Sequence, residues 1–190
     1  MEIRKTDVLL VVDVQNDFCP GGALSVPGGD GVVRPINRIS PLFRHILYSR
    51  DWHPSDHCSF ALTPEFVDGS WPPHCVQDTP GAEFHPDLLV PLDAVVISKG
   101  TDPDNEAYSA FSETPLQDIL RRLGVTRIFI AGLALDYCVK FSGLDAVALG
   151  YETVVIQDAC RAVNDAAGKA ALEALKSAGV QICRSGEIDE

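Results

Sequence analysis

The sequence predicts a three-layer α/β/α fold, with helices covering both faces of a central parallel sheet. Two features carry this reading. Short, continuous apolar runs rich in β-branched residues recur along the chain, as in strands buried on both faces, and segments of helical periodicity separate several of them. The 190 residues, 46% of them hydrophobic, can bury one sizeable core but not two. One domain is expected over residues 1–190, with no repeat or linker to divide it.

Taken in order, DVLLVVDV (7–14) is the first strand, and residues 31–39 the first helix. HILYSRD (45–51) and AVVISKG (94–100) follow as strands, and residues 115–123 as a helix. RIFIAGL (127–133), a helix over 136–149, ETVVIQDA (152–159) and a helix over 165–178 continue the alternation, and VQICR (180–184) is a short sixth strand. Between the second and third strands, residues 51–92 are dense in Pro, His and Trp and show no helical stripe. A loop that long inside a compact domain is usually functional.

Charge and composition exclude several functions. A net charge of -12 without a basic cluster argues against nucleic acid or an anionic membrane as partner, which leaves small molecules. No apolar run reaches the roughly 18 residues that span a bilayer. The N-terminal MEIRKTDVLLVVDVQ has an Asp within its apolar stretch and no cleavage site, so a cytoplasmic protein is expected. The six cysteines form no C-x-x-C pair and are expected as free thiols, each by default a small buried hydrophobe.

Open parallel sheets bind ligands at the carboxyl ends of their strands. Asp13 closes the first strand, Asp51 the second and Lys99 the third, while Cys138 follows the fourth at a helix start. A thiol there is expected to have a lowered pKa. Singly, each has an ordinary structural explanation: an Asp ending its strand, a solvated Lys, an inert Cys. Together they supply a nucleophile in Cys138, a general base in Asp13 and a stabilising cation in Lys99, a set suited to acyl transfer. Backbone N–H groups near Ala134 and Cys138 could face an oxyanion, although GLAL is equally explained by close strand–helix packing.

In the long loop, Asp51 and His53 stand two apart in extended chain and project to one side, and His74 can return to complete a set of three protein ligands. His57 is read as a loop cap rather than a fourth ligand, and His45 and His85 as solvated. Nitrogen and oxygen ligands without thiolate suit one divalent ion: zinc, iron or manganese. The aromatic residues Phe18, Trp71 and Tyr137 lie near these groups in sequence; each alone fits a core or rim position, and together they suit a small flat substrate whose ring nitrogen meets the metal. PGGALSVPGGDG lacks the P-loop Lys-Ser/Thr and is read as a loop, not a phosphate cradle.

Five motifs occur in one order: DVQNDF at 13–18 (from Asp13), RDWHP at 50–54, WPPHCVQDTPGAEFHP at 71–86, SKG at 98–100 and GLALDYCV at 132–139. In these the chain resembles nicotinamidases, the pyrazinamidase-like branch of the isochorismatase-like cysteine hydrolases. The resemblance implies the isochorismatase-like hydrolase fold and hydrolysis of nicotinamide, with pyrazinamide also accepted, to the acid and ammonia through a cysteine thioester. It implies Asp13, Lys99 and Cys138 as the catalytic triad, and Asp51, His53 and His74 as ligands of one metal ion, zinc before iron or manganese. It further implies Phe18 and Trp71 against the ring, Ala134 and Tyr137 as further substrate contacts, a cis peptide between Leu133 and Ala134, and self-association. Three alternatives stay open on the residues: a related cysteine amidase for carbamoyl or ureido substrates, a non-catalytic metal-dependent ligand-binding protein, and a metallohydrolase in which Cys138 is a bystander.

Overall fold

The computed structural model describes residues 1–66 and 69–189, so the long loop is described except at residues 67 and 68. Six parallel strands form one sheet in the order β3-β2-β1-β4-β5-β6: β1 Asp7–Val12, β2 His45–Asp51, β3 Val95–Lys99, β4 Arg127–Leu133, β5 Glu152–Arg161 and β6 Gln181–Cys183. Among the described residues four α-helices accompany them: α1 Val33–Ile39, α2 Leu116–Arg122, α3 Lys140–Ala148 and α4 Asp165–Ser177. This is the expected three-layer arrangement, with the strand order reversing direction between β1 and β4.

Side-chain alternation along β1 explains the layers. Leu9 and Val11 pack on one face with Ile36 and Ile39 of α1, whereas Val8, Leu10 and Val12 pack on the other with α2, α3 and α4 through Leu120, Ala146 and Leu175. Because both faces are covered, every residue of β1 and β4 is buried, which is why both read as unbroken apolar runs after their first, charged residues. At α4, the Asn164 side chain caps the helix by accepting from the Ala167 N–H at 2.9 Å. At the far end of the sheet from the site, Arg127 forms a bidentate pair with buried Asp7 and ties the starts of β4 and β1 together.

The strand ends differ from the sequence reading in ways that matter locally. β1 stops at Val12, one residue before Asp13, because Asp13 adopts φ 49° and turns the chain out of the ladder. Between Ile130 and Gly132 of β4 the register against β5 shifts from Val155 to Cys160, so the extra residues bulge from β5 opposite Gly132. Only glycine fits there: a Cβ on Gly132, at φ 127°, would lie 2.0 Å from the Val12 carbonyl oxygen. The chain then passes through a cis peptide at Leu133–Ala134, as the resemblance implied, into a π-helical turn over Leu135–Val139 that precedes α3. Cys138 therefore sits inside an irregular turn rather than in the first turn of a regular helix. Among the described residues of the β2–β3 crossover there is no α-helix, only a 3-10 turn at Pro80–Ala82.

Candidate active site

The carboxyl edges of β1 to β4 bring Asp13, Asp51, Lys99 and Cys138 to one point. Asp13 and Lys99 are almost wholly buried, and Lys99 Nζ lies 3.0 Å from Asp13 Oδ2 and 3.5 Å from Cys138 Sγ. The same ammonium donates to the Asp51 carboxylate and, at 3.0 Å, to the Ala107 carbonyl. Ser49 Oγ donates to Asp13 Oδ1 at 2.7 Å. Asp13 Oδ2 has the ammonium close by but no aligned hydrogen bond, so it keeps a lone pair for a thiol proton. One ligand atom each from Asp13, Asp51 and Cys138 lie within 4.8 Å of one another.

The electrostatics correct one expectation. Burial pushes the Cys138 thiol well above its ordinary range; Lys99 opposes this, and the Asp13 and Asp51 carboxylates reinforce it. The lowering expected from a helix N-terminus does not prevail, because burial outweighs the attraction of Lys99 and the two carboxylates add to it. Burial would lower Lys99, but Asp13 and Asp51 hold it well above the lysine range. Asp13 is raised by burial despite the neighbouring Lys99, and Asp51, which burial would also raise, is held below the usual range by Lys99, His53 and His74. A protonated thiol beside a buried carboxylate of raised pKa is a nucleophile that needs its base.

A second cluster adjoins the first. Asp51, His53 and His74 are buried, and one donor atom from each lies within 4.8 Å of the others. The rings are oriented for coordination: His53 Nδ1 donates to the Gly100 carbonyl at 2.9 Å and His74 Nδ1 to the Pro72 carbonyl at 2.8 Å, which leaves each Nε2 with its lone pair. One carboxylate and two imidazoles so prepared fit a divalent ion with open positions. Gly100, at φ 60°, is required beside them, since a Cβ would lie 2.4 Å from the His53 ring. His57 is buried too, but its Nε2 donates to the Asn105 carbonyl at 3.1 Å and its Nδ1 accepts from Ser59 Oγ at 2.8 Å. That leaves it no lone pair to offer, in keeping with the loop-cap reading.

A cavity of about 310 Å³ reaches Cys138 and Asp51, the carboxylate common to both clusters. Phe18, Trp71, Ala134, Tyr137 and Cys138 line it with Asp51, so the aromatic residues named from sequence do meet there. Trp71 and Tyr137 make an edge contact with centroids 5.2 Å apart, and Trp71 Nε1 donates to the Tyr108 hydroxyl at 3.1 Å. Sequence reading missed Tyr108, Glu106, Val163 and the 23–26 wall, all of which line the cavity. It also left Gln15 and Asp17 without a role although both lie in the DVQNDF motif, and their contacts could be found only in three dimensions.

Fold and site define an α/β hydrolase with a buried cysteine at the switch point of a parallel sheet. The chain belongs to the isochorismatase family: the isochorismatase domain matches residues 7–187. Among its relatives, the nicotinamidase of Escherichia coli (strain K12) is 45% identical over 177 residues, covering 82% of this chain and 83% of that one. Among solved structures, the pyrazinamidase of Pyrococcus horikoshii in complex with zinc superposes with a TM-score of 0.85 at 44% identity, covering 94% of this chain and 99% of the other. PnC1 from L. infantum in complex with nicotinate superposes with a TM-score of 0.89 at 39% identity, covering 97% and 96%. Among the described residues no helix is long and apolar enough to cross a membrane.

Proposed function

We propose that this hydrolase converts nicotinamide to nicotinate and ammonia, and accepts pyrazinamide by the same route. The observation that carries the reading is that Cys138 and Asp51 line one apolar cavity, with Asp13 and Lys99 behind them and His53 and His74 beside Asp51. Relatives and structural neighbours named as nicotinamidases and pyrazinamidases support it.

In this reading, Asp13 takes the thiol proton as Cys138 Sγ forms a bond to the carboxamide carbon, and Lys99 steadies the carboxylate in both its states. The oxygen of the tetrahedral adduct is held by backbone N–H groups at Ala134 and Cys138. When the C–N bond breaks, Asp13 returns its proton to the departing amine, and ammonia leaves a thioester. Water then loses a proton to Asp13 as it attacks the thioester, and the acid leaves with Cys138 again protonated. Phe18, Trp71 and Tyr137 hold the ring flat against apolar walls. Asp51, His53 and His74 would hold one divalent ion, zinc before iron or manganese, which supplies an electrophilic anchor for a ring nitrogen. The chain would act in the cytoplasm on a free small molecule.

The test is ammonia release from nicotinamide, pyrazinamide and an aliphatic amide, with metal analysis of the same sample. Turnover of the two ring amides, with little of the aliphatic one, is expected. Preference for a carbamoyl or ureido compound would move the substrate assignment.

A further inference from the structure

The motif that brings Asp13 to Lys99 and Phe18 to the cavity contains two side chains, Gln15 and Asp17, that line no part of that cavity. β1 stops pairing with β2 at the Val12–Ser49 step, two residues before β2 ends at Asp51. On its other side Asp51 is paired with Lys99 of β3. On the open side, fully buried Gln15 takes the place of a strand: its Oε1 accepts from the Asp51 N–H at 2.8 Å and its Nε2 donates to the Asp51 carbonyl at 2.8 Å. The carboxamide thus imitates a peptide unit and clamps Asp51 at two points. The same Nε2 donates at 2.8 Å to the Ala82 carbonyl in the long loop.

Asp17 does the equivalent for the loop arm. Its Oδ2 accepts from the Cys75 N–H at 2.7 Å, which fixes the peptide that joins His74 to Cys75. Cys75 is at φ 44°, and its carbonyl accepts from the His53 N–H at 3.0 Å, so this pinned residue connects both histidines. Gly81 leaves room for the carboxylate, since a Cβ there would lie 2.1 Å from Asp17 Oδ2.

We propose that Gln15 and Asp17 are positioning residues for metal binding, holding the main chain at Asp51 and at His74–Cys75 so that the three donors stand within reach of one ion. The proposal rests on Asp51, His53 and His74 being the ligands, and goes beyond it by assigning the side chains that set their spacing. Supporting residues of this kind typically change metal affinity by about 10- to 100-fold.

Zinc affinity, measured by chelator competition on folded protein, tests it. Gln15→Glu keeps an acceptor for the Asp51 N–H and loses both donated bonds; Asp17→Asn keeps one acceptor oxygen for the two N–H groups, of Cys75 and Ala23, that the carboxylate serves. Each is expected to bind zinc roughly 10- to 100-fold more weakly. The zinc concentration that half-restores amide turnover should shift by the same factor, with kcat recovering at saturating zinc. Asn37→Ala, which loses bonds to Asp87 and Leu89 away from the site, should lower thermal stability and leave zinc affinity unchanged. Folded Gln15→Glu or Asp17→Asn with wild-type zinc affinity overturns the role of that residue, and if Gln15→Glu does not fold, Gln15→Met is the substitute. Wild-type protein that takes up no zinc removes the ligand set itself and the proposal with it, an outcome distinct from tight wild-type binding that the variants share.

Discussion

The ammonium of Lys99 bridges Asp13 and Asp51, so one buried cation is shared between the carboxylate beside the cysteine and the carboxylate beside the histidines. The two clusters are therefore a single electrostatic unit, and a change in one is felt in the other.

Lys99→Met separates these functions. Asp51 loses the cation that competes with a metal for its oxygens, and Asp13 no longer has a charge partner. Zinc affinity should rise by roughly tenfold, about 1.4 kcal/mol, while ammonia release collapses. Chelator competition and an ammonia assay on one sample check both, and a fall in zinc affinity would contradict the competition.

Cys138→Ala should lower ammonia release from nicotinamide by about 10⁴-fold or more, as loss of a covalent nucleophile does, with zinc content unchanged. Substantial turnover would favour the metallohydrolase in which Cys138 is a bystander.

Asp13→Asn should cost about 10²- to 10⁴-fold in thioester formation, the usual contribution of a general base. In the wild type the base works only when ionised, and burial raises its pKa. Activity is therefore lost as pH falls through that raised value, and the acidic limb of kcat/KM should lie above the usual carboxylate range. A pH–rate profile from stopped assays locates the limb; one at or below the ordinary carboxylate value would move the base elsewhere.

His53→Ala should remove the bound metal and raise KM far more than it lowers the rate of Cys138 alkylation by iodoacetamide. Metal analysis, steady-state kinetics and alkylation rates distinguish this from general unfolding, and a metal-free variant of full activity would refute the ligand assignment.

Arg127→Ala removes one partner of the buried pair with Asp7, remote from the site, and should destabilise the fold by about 3–5 kcal/mol. Urea denaturation measures the loss, and kcat below the unfolding transition should hold near the wild-type value.

What the sequence determined by itself was the part governed by local pattern. Continuous apolar runs and helical stripes located all six strands and four helices to within a few residues, because both faces of the sheet are buried and the pattern has no reason to be broken. Strand-end chemistry and motif order named Asp13, Asp51, Lys99, Cys138 and the two loop histidines, since a parallel sheet places its carboxyl ends together whatever the intervening loops do. The tertiary structure decided the rest. That the Cys138 thiol is raised rather than lowered depends first on its burial and then on the balance of Lys99 against two carboxylates, groups from four strands that no local segment contains. That Gln15 stands in for a missing strand beside Asp51 depends on where β1 leaves the sheet, and that departure follows from a single φ angle at Asp13. Pattern fixes which residues are buried, but distances between charges and the partners of buried polar groups exist only once the chain has closed on itself.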